Sequence, residues 1–313
     1  MSFLINRLLS IALTLVLISM ITFAVTNILP GDVAMMIMGT QSNPEALAGL
    51  RQSLGLNDPL FVQYGRWVFG MLTGDWGNSL IFKVPITDLL GQKIRSSALI
   101  VVLSMSIALV AAVPLGVWAA VHRNKWQDTV SSSTALLGVS LPDFFWGIMM
   151  ILLFARGLGW LPSSGVADPA TDFGAALRYA LLPSLALGLG LMAHLTRMTR
   201  STMVGILNQE FVRVARAKGL SERVVVWRYA LANAIGPVMT IAGLQVGYLF
   251  GSIIVVETLF NYTGMGWLTY QALLNRDVPL IQATVFVIAA VVMLINLLVD
   301  LLYVLVDPRI RLE

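Results

Sequence analysis

Charged residues along this chain are spaced so that six long intervals hold almost none of them. The first lies between Arg7 and Asp32 and is centred on Leu8–Ile28; the second, between Arg95 and Arg123, runs roughly from Ala98 to Val121. The third extends from Asp128 to Arg156 and is interrupted only by Asp143 beside Pro142. The fourth and shortest is Tyr179–Thr196, the fifth spans Tyr229–Val256, and the sixth lies between Asp277 and Asp300. A helix needs about 20 apolar residues to cross the hydrocarbon core of a bilayer, so each interval predicts one membrane span. Proline has no N–H to donate and clashes with the preceding turn. Ser140-Leu141-Pro142-Asp143 is therefore expected to break the third span into a short segment plus a helix. The fold class that follows is all-α, a polytopic membrane bundle of six transmembrane helices.

The segment from about Leu29 to Arg95 is too long and too patterned to be featureless. Asn43-Pro44 reads as an N-cap with proline in the first turn, Leu47, Leu50 and Leu54 share a face, and Gly55 ends the helix. Asp58-Pro59 repeats the start signal, and Leu60, Tyr64, Trp67 and Met71 follow at helical spacing. These are short amphipathic helices expected to lie over the outer membrane surface as a small cap, with Tyr64, Trp67 and Trp76 at the interface. The first span carries Arg7 ahead of an apolar stretch, as a secretory leader does. No small-residue cleavage pattern follows it, so it is expected to be retained. The domains expected are an N-terminal transmembrane helix at 1–30, a loop with short helices at 31–95, and a transmembrane core at 96–313.

Composition supports the membrane reading. Of 313 residues, 58% are hydrophobic and 12% charged, where a soluble domain carries about 25% charged residues. Mean hydropathy is +0.83. The net charge of +4 could suggest nucleic acid, but the distribution of the basic residues points to topology instead. With both termini cytoplasmic, the inside segments hold Arg7, Arg123, Lys125, Arg309 and Arg311. They also hold the cluster Arg197, Arg200, Arg213, Arg216, Lys218, Arg223 and Arg228. Basic residues concentrated near span ends mark the inner side, so both termini are placed there, and the 31–95 loop is periplasmic.

Several chemistries are missing. The chain has no cysteine and two histidines, His122 and His194, so disulfides and thiolate metal sites are excluded and a His-based metal site has little scope. A phosphate-binding loop requires a Gly-Lys pair, and none occurs. Any ATP hydrolysis must happen on another chain. Asp143, Glu257 and Asp300 are expected at or near span ends within reach of water, and His194 reads as a packing or interfacial residue. The chain is expected to be a transport subunit, not an enzyme, with neither cofactor nor metal of its own.

The loop between spans four and five, about 197–233, carries the most information. Glu210–Lys218 predicts a helix, Gly219 a left-handed cap, and Ser221 the cap of a second helix with Glu222 in its first turn. Phe211, Val214, Ala215 and Lys218 fall near one face, whereas Arg213 and Arg216 lie elsewhere; Val212 and Ala217 complete the helix. A short basic helix below a membrane is a natural docking knob, although such a loop is also basic merely to set topology. In the fifth span Gly243, Gly247 and Gly251 recur every four residues, a stripe suited to close helix packing or to lining a path for solute.

From Gln209 onward, Phe211-Val-Arg-Val-Ala-Arg-Ala-Lys-Gly219-Leu-Ser-Glu-Arg resembles the coupling motif of binding-protein-dependent ABC importer permeases. More narrowly, it resembles the dipeptide/oligopeptide/nickel permease family, first-permease type. Leu29-Pro-Gly-Asp32, Leu54-Gly-Leu-Asn-Asp-Pro-Leu-Phe-Val-Gln-Tyr64, Val113-Pro-Leu-Gly-Val117 and Gly159-Trp-Leu-Pro-Ser-Ser-Gly165 agree with it. So do Val255-Val-Glu-Thr-Leu-Phe260, Leu274-Asn-Arg-Asp277 and Asp307-Pro-Arg-Ile310, in family order over nearly the whole chain. Against the general motif, Arg213 and Val214 replace Glu and the first Ala, while Ala215 and Gly219 match. Tyr229 replaces Ile, Leu231 matches and Ala232 replaces Pro.

The resemblance implies a type I importer permease (MetI-like) fold in a bacterial inner membrane. It implies a second homologous permease, two cytoplasmic ATP-binding subunits carrying ATP and magnesium, and a periplasmic or lipid-anchored binding protein. It also implies that Glu210–Gly219 contacts an ATPase, with Phe211, Val214 and Ala215 supplying apolar docking. Peptides lead as the solute; nickel complexes, glutathione and other small solutes are carried by similar permeases. Two readings of other classes stand beside this one: an ATP-independent secondary transporter or channel, and a scaffold that binds a partner without transport.

Overall fold

The computed structural model describes residues 2–28, 33–38, 43–53 and 55–306. The Leu29-Pro-Gly-Asp32 and Asp307-Pro-Arg-Ile310 stretches, Leu54, Arg309 and Arg311 lie outside the described residues. Among the described residues there is no strand, only an isolated antiparallel bridge between Asn78 and Pro85.

In chain order the helices begin with α1 (Ser2–Ile28), α2 (Val33–Met38), α3 (Pro44–Ser53) and α4 (Leu60–Thr73). Then follow α5 (Ile86–Val121), α6 (Trp126–Ser140), α7 (Asp143–Met150, continued by a π segment Ile151–Gly157) and α8 (Phe173–Leu207). Beyond α9 (Glu210–Ala217) and α10 (Glu222–Val224), a π segment Val225–Ala230 leads into α11 (Leu231–Leu259), and α12 (Met265–Leu274) and α13 (Val278–Val306) complete the order. Five helical stretches are each long and apolar enough to cross a membrane unaided: Ile5–Ile28, Ile86–Val121, Phe173–Leu207, Glu222–Leu259 and Val278–Leu301. The pair α6 and α7 passes the same test only when taken together and is bent by 99°, the shape of a broken span or a re-entrant loop. Leu141 and Pro142 are both extended, at ψ 134° and 150°, which is where the helix stops and restarts.

The chain divides into two compact units, Met1–Arg95 with Gly264–Met293, and Ser96–Thr263 with Leu294–Glu313. In the first unit, Ile86 and Leu90 of α5 pack with Met265 and Leu268 of α12 and Leu280 and Ile281 of α13. The buried carboxylate of Asp277 secures this core. Its Oδ2 accepts from Ser79 Oγ at 2.6 Å, Leu80 N at 2.8 Å and Ile81 N at 3.2 Å. Its Oδ1 accepts from Leu280 N at 3.2 Å, capping α13. The rings expected at a membrane interface also pack on the chain's own helices. Tyr64 and Trp67 of α4 meet Phe23 of α1, with centroids 5.4 and 6.0 Å away, and Trp76 meets Phe286 at 6.3 Å. Tyr64 Oη also lies 2.8 Å from Ser19 Oγ. The outward face of α1 keeps Leu9, Leu13, Ile21 and Ile28 exposed, an apolar stripe of the kind lipid covers.

In the second unit α6, α7 and α11 all pack against α8. Small residues allow it: a Cβ on Gly138 of α6 would stand 2.7 Å from Ala193 Cβ of α8. Glu257 proves fully buried, not wet as expected at a span end, and accepts a 2.5 Å hydrogen bond from Ser97 Oγ. Nearby, the buried Tyr262 hydroxyl donates to Ser96 O at 3.2 Å. Burial, then the adjacent Glu257 charge, push that hydroxyl far above the usual tyrosine range, so it remains a donor. The other two acids keep their expected places near span ends: Asp143 opens α7 at the break after α6, and Asp300 stands one residue before the end of the apolar stretch Val278–Leu301. An apolar run shows where a helix can be buried; a helix itself extends as far as its backbone bonds are satisfied.

Candidate functional site

The candidate site is the elbow that joins α8 to α11. Its base is a core made by the ends of four elements. Val117 and Ala120 come from α5, Met203 and Ile206 from α8, Val225, Val226 and Ala230 from the π segment, and Ala234 from α11. Helix α9 lays one face on that core. Val212 is fully buried and Ala215 nearly so; three residues apart, they point the same way. Phe211 sits at the margin, and Glu210, Arg213, Val214, Ala217 and Lys218 face outward.

This corrects the docking face read from the sequence. Ala215 is committed to the chain's own core and cannot meet a partner in this conformation, while Val212 is the anchor. Of the three apolar residues proposed for docking, Val214 is the one left open, 48% exposed.

The turn closes as expected. Gly219 has φ +78°, a conformation that puts about 1–2 kcal/mol on any residue with a Cβ. Its N–H donates to Arg216 O at 2.9 Å. Arg216 reaches across the turn to Glu222, Nε to Oε1 at 2.7 Å and Nη2 to Oε2 at 3.1 Å. Ser221 holds the cap position, but its hydroxyl makes no capping bond; the Val225 N–H donates to the Ser221 backbone oxygen at 3.0 Å. The π segment was not foreseen. It lets consecutive residues Val225 and Val226 both face inward and leaves Trp227, Arg228 and Tyr229 exposed. A wide turn offers no residue-type signature; Tyr229, one of the departures from the general motif, lies within it.

A second pair at the base was also missed. Arg200 of α8 binds Asp128 of α6 through two nitrogens, Nε to Oδ1 and Nη2 to Oδ2, the latter at 2.6 Å. Asp128 additionally accepts from Asn124 N at 3.0 Å, holding the turn before α6. Asp128 stands near a loop otherwise marked by Arg123 and Lys125; reading that loop only for its excess of positive charge hides the pairing.

The glycine stripe of α11 splits. Gly243 is buried, and a Cβ there would overlap Val299 of α13. Gly247 and Gly251 are exposed with no atom near enough to meet a Cβ. Four residues advance a helix by slightly more than a turn, so the stripe drifts off the contact. Among the described residues no three His, Asp or Glu side chains gather as metal ligands.

Membrane-length helices and a packed elbow with a basic outer face define a multi-pass integral-membrane protein. Residues 112–312 match the binding-protein-dependent transport system inner membrane component family, and residues 1–85 match the N-terminal family of such membrane components. The chain belongs to this family of binding-protein-dependent transport system inner membrane components.

Among its relatives, the glutathione transport system permease protein GsiC of Salmonella paratyphi A is 38% identical over 311 residues, covering 99% of both chains. GsiC of Escherichia coli K12 is likewise 38% identical over 311 residues, with 99% of each covered. The dipeptide transport system permease protein DppB of Alkalihalophilus pseudofirmus is 36% identical over 326 residues, covering 98% of both. Two inward-facing structures of the MetNI methionine ABC transporter share the fold. One has a TM-score of 0.57 at 16% identity over 68% of this chain and 93% of that one. The other has a TM-score of 0.59 at 19% identity, covering 71% and 97%. The protein is thus a multi-pass ABC importer permease subunit with a MetI-like fold.

Proposed function

We propose that this chain is one of two related permeases in an ATP-driven importer of di- or oligopeptides in a bacterial inner membrane. Both termini are cytoplasmic in this reading. Residues 1–30 form the first span, 31–95 the periplasmic loop with its short helices, and 96–313 the core with its coupling loop at 197–233. The partners are a second homologous permease, two ATP-binding subunits where ATP and magnesium act, and a periplasmic or lipid-anchored receptor that delivers solute.

One observation carries the reading: the segment Glu210–Gly219 is anchored by its inner face and presents Arg213, Val214 and Lys218 outward. A knob fixed to the ends of α5, α8 and α11 transmits a push to those spans as a rigid movement. ATP-driven closure of the two ATPases would draw two such knobs together and alternate the pathway between faces. Directionality needs ATP and loaded receptor to favour different states. Gly247 and Gly251, open on α11, belong to the pathway or to the contact with the second permease. Relatives named for dipeptide and glutathione transport support a peptide-like solute, and glutathione is the second reading within it.

Deleting Glu210–Gly219 tests this. The expected result is a chain that still inserts but supports no energised uptake and no longer couples its partner ATPase. Uptake that survives the deletion contradicts the assignment. Identifying the ligand held by the co-purified receptor decides the solute.

A further inference from the structure

At the break in the third span lies a cavity of ≈ 230 Å³ that the elbow does not involve. Its polar lining is Asp143 from α7, His194 from α8, and Gln245 and Tyr248 from α11, side chains brought together from three separate spans. Tyr248 Oη donates to Asp143 Oδ2 at 3.2 Å. The other oxygen lies against the backbone of α8, where a Cβ on Gly190 would stand 2.7 Å from Oδ1. Glycine at 190 is what gives the carboxylate room.

Asp143 forms no ion pair with Lys, Arg or His among the described residues. An acid within a spanning run is unfavourable unless paired or hydrated, and such residues face a bundle interior or a water-filled path. Tyr248 supplies one hydrogen bond but no positive charge. His194 and Gln245 add a ring nitrogen and an amide oxygen that can accept. A carboxylate, a ring nitrogen and an amide oxygen match the three N–H donors of a primary ammonium. One carboxylate is too few for a hard divalent cation, which takes several oxygen ligands. The volume holds several waters at about 30 Å³ each, enough for an ammonium group and the atoms next to it.

We propose that this cavity is a subsite for the primary ammonium group of the transported solute, occupied as the solute passes the broken span. The proposal rests on the importer reading and deepens it: the solute class becomes one with a free amine.

The test uses the assembled complex in nanodiscs without its receptor and without ATP, titrated with Ala-Ala, N-acetyl-Ala-Ala and N-acetyl-Ala-Lys. The wild type is expected to bind Ala-Ala at least about tenfold more tightly than its acetylated form, the scale of a charge-assisted hydrogen bond. Asp143→Asn should abolish that preference and Asp143→Glu should restore part of it. Gly190→Ala, which pushes a methyl group onto the carboxylate, should weaken it, and this variant decides the matter if Asp143→Asn fails to assemble. Binding of N-acetyl-Ala-Lys with the free-amine affinity assigns the subsite to any primary amine; its loss assigns it to the peptide N-terminus. Equal binding of Ala-Ala and its acetylated form, no binding of either up to millimolar concentration, or a preference that survives both Asp143→Asn and Gly190→Ala overturns the proposal. Deleting Glu210–Gly219 leaves this ATP-free preference in place, so failure of the coupling reading and failure of the subsite are distinguishable.

Discussion

Arg216 and Glu222 face each other across the turn at Gly219, joined by two hydrogen bonds of 2.7 and 3.1 Å. Both side chains are largely exposed, 42% and 62%, so the pair steers the geometry of the turn more than it stabilises the chain. An exposed ion pair contributes up to about 1 kcal/mol. Arg216→Ala should therefore leave the thermal unfolding of the purified protein nearly unchanged while reducing ATP-driven uptake. The Glu222→Ala, Arg216→Ala double variant should be no worse than either single one. A loss of several degrees in Tm would show that the pair carries more of the fold than its exposure indicates.

Val212 is where the elbow is held. Its side chain is fully buried among Met203, Ile206, Val225 and Val226. Removing two methyl groups at about 0.8 kcal/mol per buried carbon, plus the gap they leave, makes Val212→Ala a loss of about 2 kcal/mol. The effect should stay local: hydrogen exchange of residues 209–230 rises, exchange in α8 does not, and Val214→Ala on the exposed side changes neither. Equal effects at 212 and 214 would mean that α9 is not seated on this core.

Asp128 and Arg200 tie the start of α6 to α8. The Asp128 side chain is 8% exposed and Arg200 30%, so removing one leaves the other partly buried and unpaired. Asp128→Ala and Arg200→Ala should each destabilise the solubilised protein, by about 2 kcal/mol within the range for losing one partner of such a pair. The double variant should lose less than the sum, and a double-mutant cycle by thermal unfolding measures the difference. Strict additivity would contradict the pairing.

Along α11 the two glycines predict opposite behaviour. Gly243→Ala places a methyl group into Val299, and overpacking of this kind typically destabilises by about 1–3 kcal/mol. Val299→Ala should rescue it. Gly247→Ala meets nothing in this chain and should leave its stability intact; an effect on uptake alone would place Gly247 at the pathway or the second permease.

Much of this architecture was legible in the order of residues. Charge-free runs located the five unbroken spans and the bent pair α6 and α7, Pro142 marked the break, and Gly219 marked the elbow, because each reports a constraint that acts locally: solvent, backbone donors or a positive φ. What stayed hidden depends on residues far apart in sequence. Nothing near Glu257 announces that it will be buried and bonded by Ser97, and nothing near Asp128 names Arg200 as its partner. Ala215 read as a docking residue because helical periodicity gives a face without saying what lies against it. Val225–Ala230 is apolar and charged in ordinary proportion, so its wide turn leaves no mark on composition. Even the Asp143 cavity was half visible: the acid stood out, but His194, Gln245 and Tyr248 converge on it only after folding.

The account depends most on the elbow facing the cytoplasm, and the chain's lack of cysteine makes that directly measurable. Val214→Cys introduces a single thiol at an exposed position of α9. Treated with a membrane-impermeant maleimide, it should react in inside-out vesicles and stay unlabelled in intact spheroplasts. Labelling from the outside of spheroplasts would place the elbow in the periplasm, out of reach of any ATPase, and contradict the account.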